Sequence, residues 1–310
     1  MQSHHEQWVR HFELKGYRDV APLSAGMEGA VYRLGDSLIA KVWADKPVQE
    51  LTILQKFYAD LLRAGLPFAT PEILTIEQVG GTAVTVESEL PGRPLREFLA
   101  EAGTSVPPWA GACVLRVLTA LAAINDSPSA LGLPVLGGPG PFRSDASWPE
   151  ALLRLLERRV AAFGDKLRAA VPDFDSMYAN LVGSIATLPS VDNSVIHGDI
   201  CGENILVDDD MNPLALLDWG FLSTTGDPAF DASIAAGIFN MYGPYARVMD
   251  DHLLHRFAAE FGYPESQLLA YRAVYAIATS NAYDPEGKDG HFAWCARALS
   301  RSDVRAAVGS

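Results

Sequence analysis

The segment 194–221, SVIHGDICGENILVDDDMNPLALLDWGF, holds the residues best suited to chemistry. Asn204 lies five positions after Asp199 and is followed by the apolar run ILV, the turn DDDMNP, the apolar run LALL and Asp218-Trp219-Gly220. Two short strands joined by that turn bring Asp199, Asn204 and Asp218 to one edge. Oxygen donors of this sort suit Mg²⁺, which keeps waters and binds one or two protein carboxylates together with substrate phosphates. A separate carboxylate not spent on the metal can orient and deprotonate an attacking hydroxyl. H-x-D-x-x-x-x-N followed by D-x-G is thus an arrangement suited to phosphoryl transfer.

These residues need elements to position them. Residues 4–16 read as an amphipathic helix packing through Trp8, Phe12 and Leu14. From Val20 to Trp43 the pattern becomes short extended runs separated by glycines, with a hairpin turn at Gly35-Asp36. Apolar side chains at Val48, Leu51, Leu54, Tyr58 and Leu61 predict a helix over 46–63, capped by Asp45. ILTIEQV and TAVTVESEL around Gly80-Gly81 form a second hairpin, and LPGRPL at 90–95 reads as a linker. Beyond it the pattern is mainly helical: 95–102, 107–125, 148–170, 173–188, 229–241, 249–262, 264–281 and 290–306, with a long loop at 127–142. Lys41, one of only six lysines, sits in an apolar strand, where a lysine needs a partner.

Composition narrows the class. The chain has 310 residues, 49% hydrophobic and 20% charged, which rules out wholesale disorder and suits two packed lobes. The start, MQSHHEQWVR, has no signal-peptide character, and the most apolar run, 109–124, is interrupted by Arg116 and too short to span a membrane. Three scattered cysteines, Cys113, Cys201 and Cys295, fit reduced thiols in a cytoplasmic protein. A net charge of −14 argues against nucleic-acid binding. Residues 191–251 carry eleven acidic side chains against the single base Arg247.

The chain resembles the aminoglycoside phosphotransferase family, the small-molecule branch of the protein-kinase-like fold. HGDICGEN (197–204) is similar to that family's catalytic loop and LLDWGF (216–221) to its metal-binding segment. SAGMEGAVYRL (24–34) looks like the nucleotide loop, IAKVW (39–43) the lysine strand, VESELPGRPL (86–95) the hinge and GDPAFDAS (226–233) the segment that buttresses the catalytic loop. The resemblance implies an α+β fold of two lobes, a nucleotide-binding lobe of antiparallel sheet at 1–90 and a helical lobe at 91–310. It implies ATP, with GTP left open, and Mg²⁺ as cofactors, Asp199 as base, and Asn204 and Asp218 as metal ligands. Lys41, paired with Glu50, would contact the α/β-phosphates. Ser24, Gly26 and Gly29 would lie over the phosphates, and the backbone from Ser88 to Leu90 would hold adenine. His197 and Asp231 would brace the catalytic loop.

The implied reaction moves the γ-phosphoryl group to a hydroxyl of a small molecule. An aminoglycoside is the leading acceptor, with a macrolide or a metabolite such as choline, a sugar derivative or an amino alcohol as rivals. A catalytically silent binding protein would lack the base or metal ligands, and all three are present. A protein kinase is disfavoured because LSTTGDPAFD runs straight into a helix, with no A-P-E. Acidic residues not assigned to catalysis, Glu203, Asp227, Asp250 and Asp251, with Asp284, Glu286 and Asp289 in a late loop, suggest a polycationic acceptor.

Overall fold

A computed structural model describes residues 2–26, 28–99, 103–125, 127–138, 142, 146–189 and 191–309. Met27 of the nucleotide loop, residues 100–102 of the helix expected at 95–102, and 139–141 of the expected loop fall outside the described residues. Helix α1 (Gln2–Leu14) precedes strands β1 (Val20–Gly26), β2 (Gly29–Leu34) and β3 (Leu38–Trp43). Helix α2 (Val48–Ala64) and strands β4 (Ile73–Val79) and β5 (Thr82–Ser88) complete the N-terminal lobe. The five strands form one antiparallel sheet in the order β1-β2-β3-β5-β4.

Strand alternation assigns the two faces of this sheet. Tyr32 and Leu34 of β2, Ala40 and Val42 of β3, and Val84 and Val86 of β5 pack with Trp8 and Phe12 of α1. The opposite face carries Lys41, Trp43, Ala83, Thr85 and Glu87, and Trp43 and Ala83 join the core that includes Leu51, Leu54, Phe57, Tyr58 and Leu61 of α2. The N-cap of α2 is Pro47 with no side-chain cap, not Asp45. Proline at that position delivers an extended backbone, and Gly65 ends the helix in the left-handed region at φ 69°.

The chain then passes through β6 (Arg93–Pro94) and α3 (Leu95–Leu99) into a helical lobe of α4 (Pro108–Ala122), α5 (Pro128–Leu131), α6 (Trp148–Ala170) and α7 (Phe174–Ala186). Strands β7 (Ser194–Ile196), β8 (Ile205–Val207), β9 (Pro213–Leu216) and β10 (Thr224–Gly226) follow. Helices α8 (Ala229–Ile238), α9 (Ala246–Phe261), α10 (Glu265–Thr279), α11 (Gly290–Leu299) and α12 (Ser302–Ala307) close the fold. The expected loop at 127–142 contains α5, and the single helix expected at 290–306 is two. The break between α11 and α12 sets the Arg301 guanidinium against Asp250, Asp251 and Asp303. Arg272 on α10, wholly buried, also pairs with Asp250. β8 pairs with both β6 and β9, and β7 with β10. Among the described residues no helix is long and apolar enough to cross a membrane.

Candidate active site

The loop after β7 is held from three sides. Asp231, in the first turn of α8, accepts the backbone N–H of His197 and of Gly198, each at 2.8 Å. The buried His197 ring sits between two backbone groups: Nε2 lies 2.8 Å from the Leu217 carbonyl, and Nδ1 accepts the Asp199 N–H at 3.1 Å. That pattern requires a neutral ring, and burial lowers its pKa to about 4. His197 also packs against Trp219, ring centroids 4.4 Å apart, and Trp219 meets Phe57 of α2. The third tie is Ser223, whose hydroxyl accepts the Gly220 N–H and donates to the His197 carbonyl, both at 2.9 Å. Gly198, at φ 81°, has no room for a β-carbon, which would fall 2.2 Å from Leu222 Cβ.

This scaffold brings Asp199, Asn204 and Asp218 together. Asn204 Nδ2 donates to the Asp199 carbonyl at 2.9 Å and to its carboxylate at 3.2 Å. The Asn204 carbonyl accepts the Leu217 N–H at 2.8 Å, locking the two strands' ends. Burial, reinforced by the charge of Asp218, pushes the Asp199 carboxyl up to about 7. Asp218 itself has a left-handed backbone, φ 55°, an uncommon conformation for a non-glycine residue at the point where β9 turns away.

The residues fit a magnesium ion that arrives with a nucleotide. With Nδ2 of Asn204 committed to Asp199, Oδ1 remains for a cation, alongside the Asp218 carboxylate. No group of three or more His, Cys, Asp or Glu residues among those described could hold a metal by itself. One carboxylate and one amide oxygen, completed by phosphate and water, is the donor set Mg²⁺ accepts.

Lys41 enters from the sheet. Its Nζ lies 3.6 Å from Glu87 Oε2, and Glu87 is 1% exposed. Thr85 donates to the other Glu87 oxygen at 2.7 Å, and the Trp43 indole donates to Thr85 at 3.1 Å. Burial lowers the Lys41 pKa, but the charges of Glu87, Asp218 and Glu28 outweigh it and leave the ammonium more basic than usual. The expected partner, Glu50, makes no ion pair among the described residues. The physical reason is register: Lys41 faces Thr85 across the β3–β5 ladder, so Glu87, two positions on, shares its face of the sheet. Parity alone, Lys41 and Trp43 with Thr85 and Glu87, carried that signal in the sequence.

Lys41, Asp199 and Asp218 line one cavity of about 570 Å³, with Ser24, Gly26, Glu28 and Gly29 above and Trp43, Phe221 and Tyr283 at its sides. Gly29 is required by close packing: at φ 139° a β-carbon would fall 1.9 Å from the Val42 carbonyl oxygen. Ser88 and Leu90 are not among the lining residues. The Ser88 N–H donates to the Glu72 carbonyl and the Glu89 N–H to the Ser37 carbonyl.

The carboxylates expected to meet the acceptor are mostly engaged elsewhere. Asp227 is buried and accepts from Gln267, Tyr271 and the Ala229 N–H, so it braces α8 and α10 instead. Asp284 accepts the N–H groups of Glu286 and Lys288 and shapes its own turn. Glu286 pairs with Lys166 at 2.9 Å. Asp289 caps α11. Glu203 is 59% exposed, 3.6 Å from Arg96. Sequence reasoning missed the aromatic flank: Phe221 and Tyr283 stack with ring centroids 6.0 Å apart and planes within 5°, and Tyr283 is edge-on to His291. Their separation in the chain hid the pair.

The fold has counterparts among solved structures. The chain is similar to macrolide 2'-phosphotransferase MphH from Brachybacterium faecium, at 17% identity and a TM-score of 0.61 over 95% of this chain and 98% of that one. The gentamicin complex of APH(2")-IIa superimposes with a TM-score of 0.64 at 12% identity, covering 97% of each chain. Aminoglycoside phosphotransferase APH(3'')-Id from Streptomyces rimosus, in complex with ADP and streptomycin, gives 0.55 at 18% identity over 92% and 98%. No curated protein sequence matches the chain at a significant level. The model of the phosphotransferase enzyme family, in contrast, matches residues 19–271, which takes in the five-stranded sheet, Lys41 and the whole 194–221 segment. With a kinase-like α+β fold and a family match over most of its length, this chain belongs to the phosphotransferase enzyme family.

Proposed function

We propose that this phosphotransferase moves the terminal phosphoryl group of ATP, bound with Mg²⁺, to a hydroxyl of a small antibiotic molecule. The observation that carries the reading is the convergence of Lys41, Asp199 and Asp218 on one cavity beneath the β1–β2 turn. Asp199, with a carboxyl pushed up to about 7, is poised to take the proton of an attacking hydroxyl near neutral pH. Asn204 keeps that carboxylate oriented through its amide. Lys41, steadied by Glu87, offers its ammonium to phosphate oxygens. Asn204 and Asp218 are the residues that would hold Mg²⁺, which when bound neutralises charge on the phosphates. Ser24, Gly26 and Gly29 frame the phosphate side, and the backbone from Ser88 to Leu90 is the hinge that would meet the nucleobase.

Two acceptor classes are distinguished by charge. Solved neighbours in complex with kanamycin, gentamicin or streptomycin support an aminoglycoside. The stacked Phe221–Tyr283 pair and the commitment of Asp227, Asp284 and Glu286 to internal partners support a second reading, an acceptor with a large uncharged face such as a macrolide. Screening hydroxylated antibiotics and metabolites for stimulated ADP or GDP release, with mass spectrometry of the product, tests the function. A product heavier by one phosphoryl group is expected. Nucleotide turnover unaffected by every acceptor would count against it. A cationic acceptor should lose kcat/KM steeply as NaCl rises, and an uncharged one should not.

A further inference from the structure

A second lysine lies at the edge of the site, against two residues that line the cavity, Trp43 and Glu28. Lys46, in the connection between β3 and α2, places its Nζ 4.5 Å from the centroid of the Trp43 ring, and Lys41 Nζ lies 5.6 Å from the same centroid. Trp43 is 4% exposed and lines the cavity, so one buried indole holds two ammonium groups at its face. Lys46 also approaches the Asp218 segment: a β-carbon on Gly220, two residues beyond Asp218, would lie 3.8 Å from its Nζ.

The two lysines differ in their anions. Lys41 is bound to Glu87, which is buried, hydrogen-bonded and fixed in the sheet. The Lys46 anion is Glu28, at 3.6 Å, on the β1–β2 turn and 63% exposed. A pair whose carboxylate is so exposed is weakly held. A polyphosphate in the cavity would meet Lys41 and the Glu28 carboxylate, which line the same space, and would compete with Glu28 for the Lys46 ammonium beside it. The Glu28 backbone is pinned independently, its carbonyl accepting the Ala44 N–H at 2.9 Å, so the side chain can leave without the turn moving.

We propose that Lys46 is a second phosphate ligand, on the γ-phosphate side of the nucleotide, and that Glu28 occupies its charge until nucleotide displaces it. The proposal rests on the nucleotide-dependent reading above. The assignment to the γ side follows from the position of Lys46 beside Gly220 and near the Asp218 segment, whereas Lys41 approaches from the sheet.

Calorimetric titration of the full chain with Mg²⁺-AMP-PNP and Mg²⁺-ADP tests this. Lys46→Met should weaken AMP-PNP binding about tenfold and ADP binding by much less, and Lys46→Arg should restore most of the loss. Glu28→Gln should tighten AMP-PNP binding severalfold, and that gain should shrink when Lys46→Met is also present. Unchanged melting temperatures would separate these effects from a structural role. Equal AMP-PNP affinity in the wild type and Lys46→Met, or equal losses for AMP-PNP and ADP, would overturn the proposal. Weaker binding in Glu28→Gln would overturn the exchange. A wild-type protein that bound neither nucleotide would overturn the nucleotide-dependent reading itself.

Discussion

Replacing Glu87 by Gln removes the charge opposite Lys41 while preserving the shape and the oxygen that accepts from Thr85. At 3.6 Å and an effective dielectric near 20, the attraction being removed is about 5 kcal/mol gross. Part of this is recovered, because the Lys41 side chain is 18% exposed and still feels Asp218 and Glu28. Breaking one partner of a buried pair costs about 3–5 kcal/mol, so a net loss of about 2–3 kcal/mol is expected for this partly hydrated one. In thermal unfolding of a chain of this size that corresponds to a drop of roughly 3–5 °C. The freed ammonium should also lose its fixed place beside the phosphates, and kcat/KM for ATP should fall roughly 10- to 100-fold. Glu50→Gln is the control: with no ion pair to lose, it should change stability by less than about 0.5 kcal/mol and leave ATP kinetics near wild type. Differential scanning fluorimetry and initial-rate kinetics at varied ATP and fixed acceptor measure both variants. If Glu50→Gln matched the loss of Glu87→Gln, or Glu87→Gln kept wild-type kcat/KM for ATP, the assignment of Glu87 as the partner that positions Lys41 would be refuted.

Asp199→Asn should fold and bind nucleotide like the parent while losing on the order of 10²–10⁴ in kcat, measured by product formation with a confirmed acceptor. Gly29→Ala should unfold several degrees earlier or fail to accumulate as folded protein, because its methyl would overlap the Val42 carbonyl; Gly26→Ala, with nothing within 4 Å, should be tolerated by the same thermal assay. His197 and His291 are both held neutral by burial down to about 4. A depressed folded pKa means that their stabilisation is complete above the unfolded value near 6.5 and is lost as pH falls toward 4. Each should contribute a loss of about 3 kcal/mol across that window, and a flat melting temperature between pH 7 and 4.5 would contradict it.

Local signals survived folding well. The Gly35-Asp36 turn joins β2 to β3, and the residues of 194–221 meet at one edge because two three- to four-residue strands leave few other arrangements. What sequence concealed is long-range pairing. The acid-rich stretch 191–251 looked like a surface awaiting a cation, yet Asp250 is buried against Arg272 and Arg301, and Asp227 against Tyr271, partners 22 to 51 residues away. Charge counting along a chain cannot see which carboxylates fold inward. The Lys41 partner was misassigned for a related reason: a helix start attracts acidic residues whatever they face, whereas Glu87 meets Lys41 through a ladder whose register is set by the whole sheet.

The Ser223 hydroxyl, which holds the Gly220 amide and the His197 carbonyl together, bears on how this site can be inhibited. Ser223 is fully buried, so a compound that required the Asp218 segment to swing outward would strip partners from two polar backbone groups in a dry interior. Each buried group left unmatched costs about 1–3 kcal/mol. Such a compound therefore starts with a handicap of roughly one to four orders of magnitude in affinity. Compounds shaped to the inward arrangement bear no such cost, and selectivity among them must come from what borders the cavity, the Phe221–Tyr283 stack and the Trp43 face.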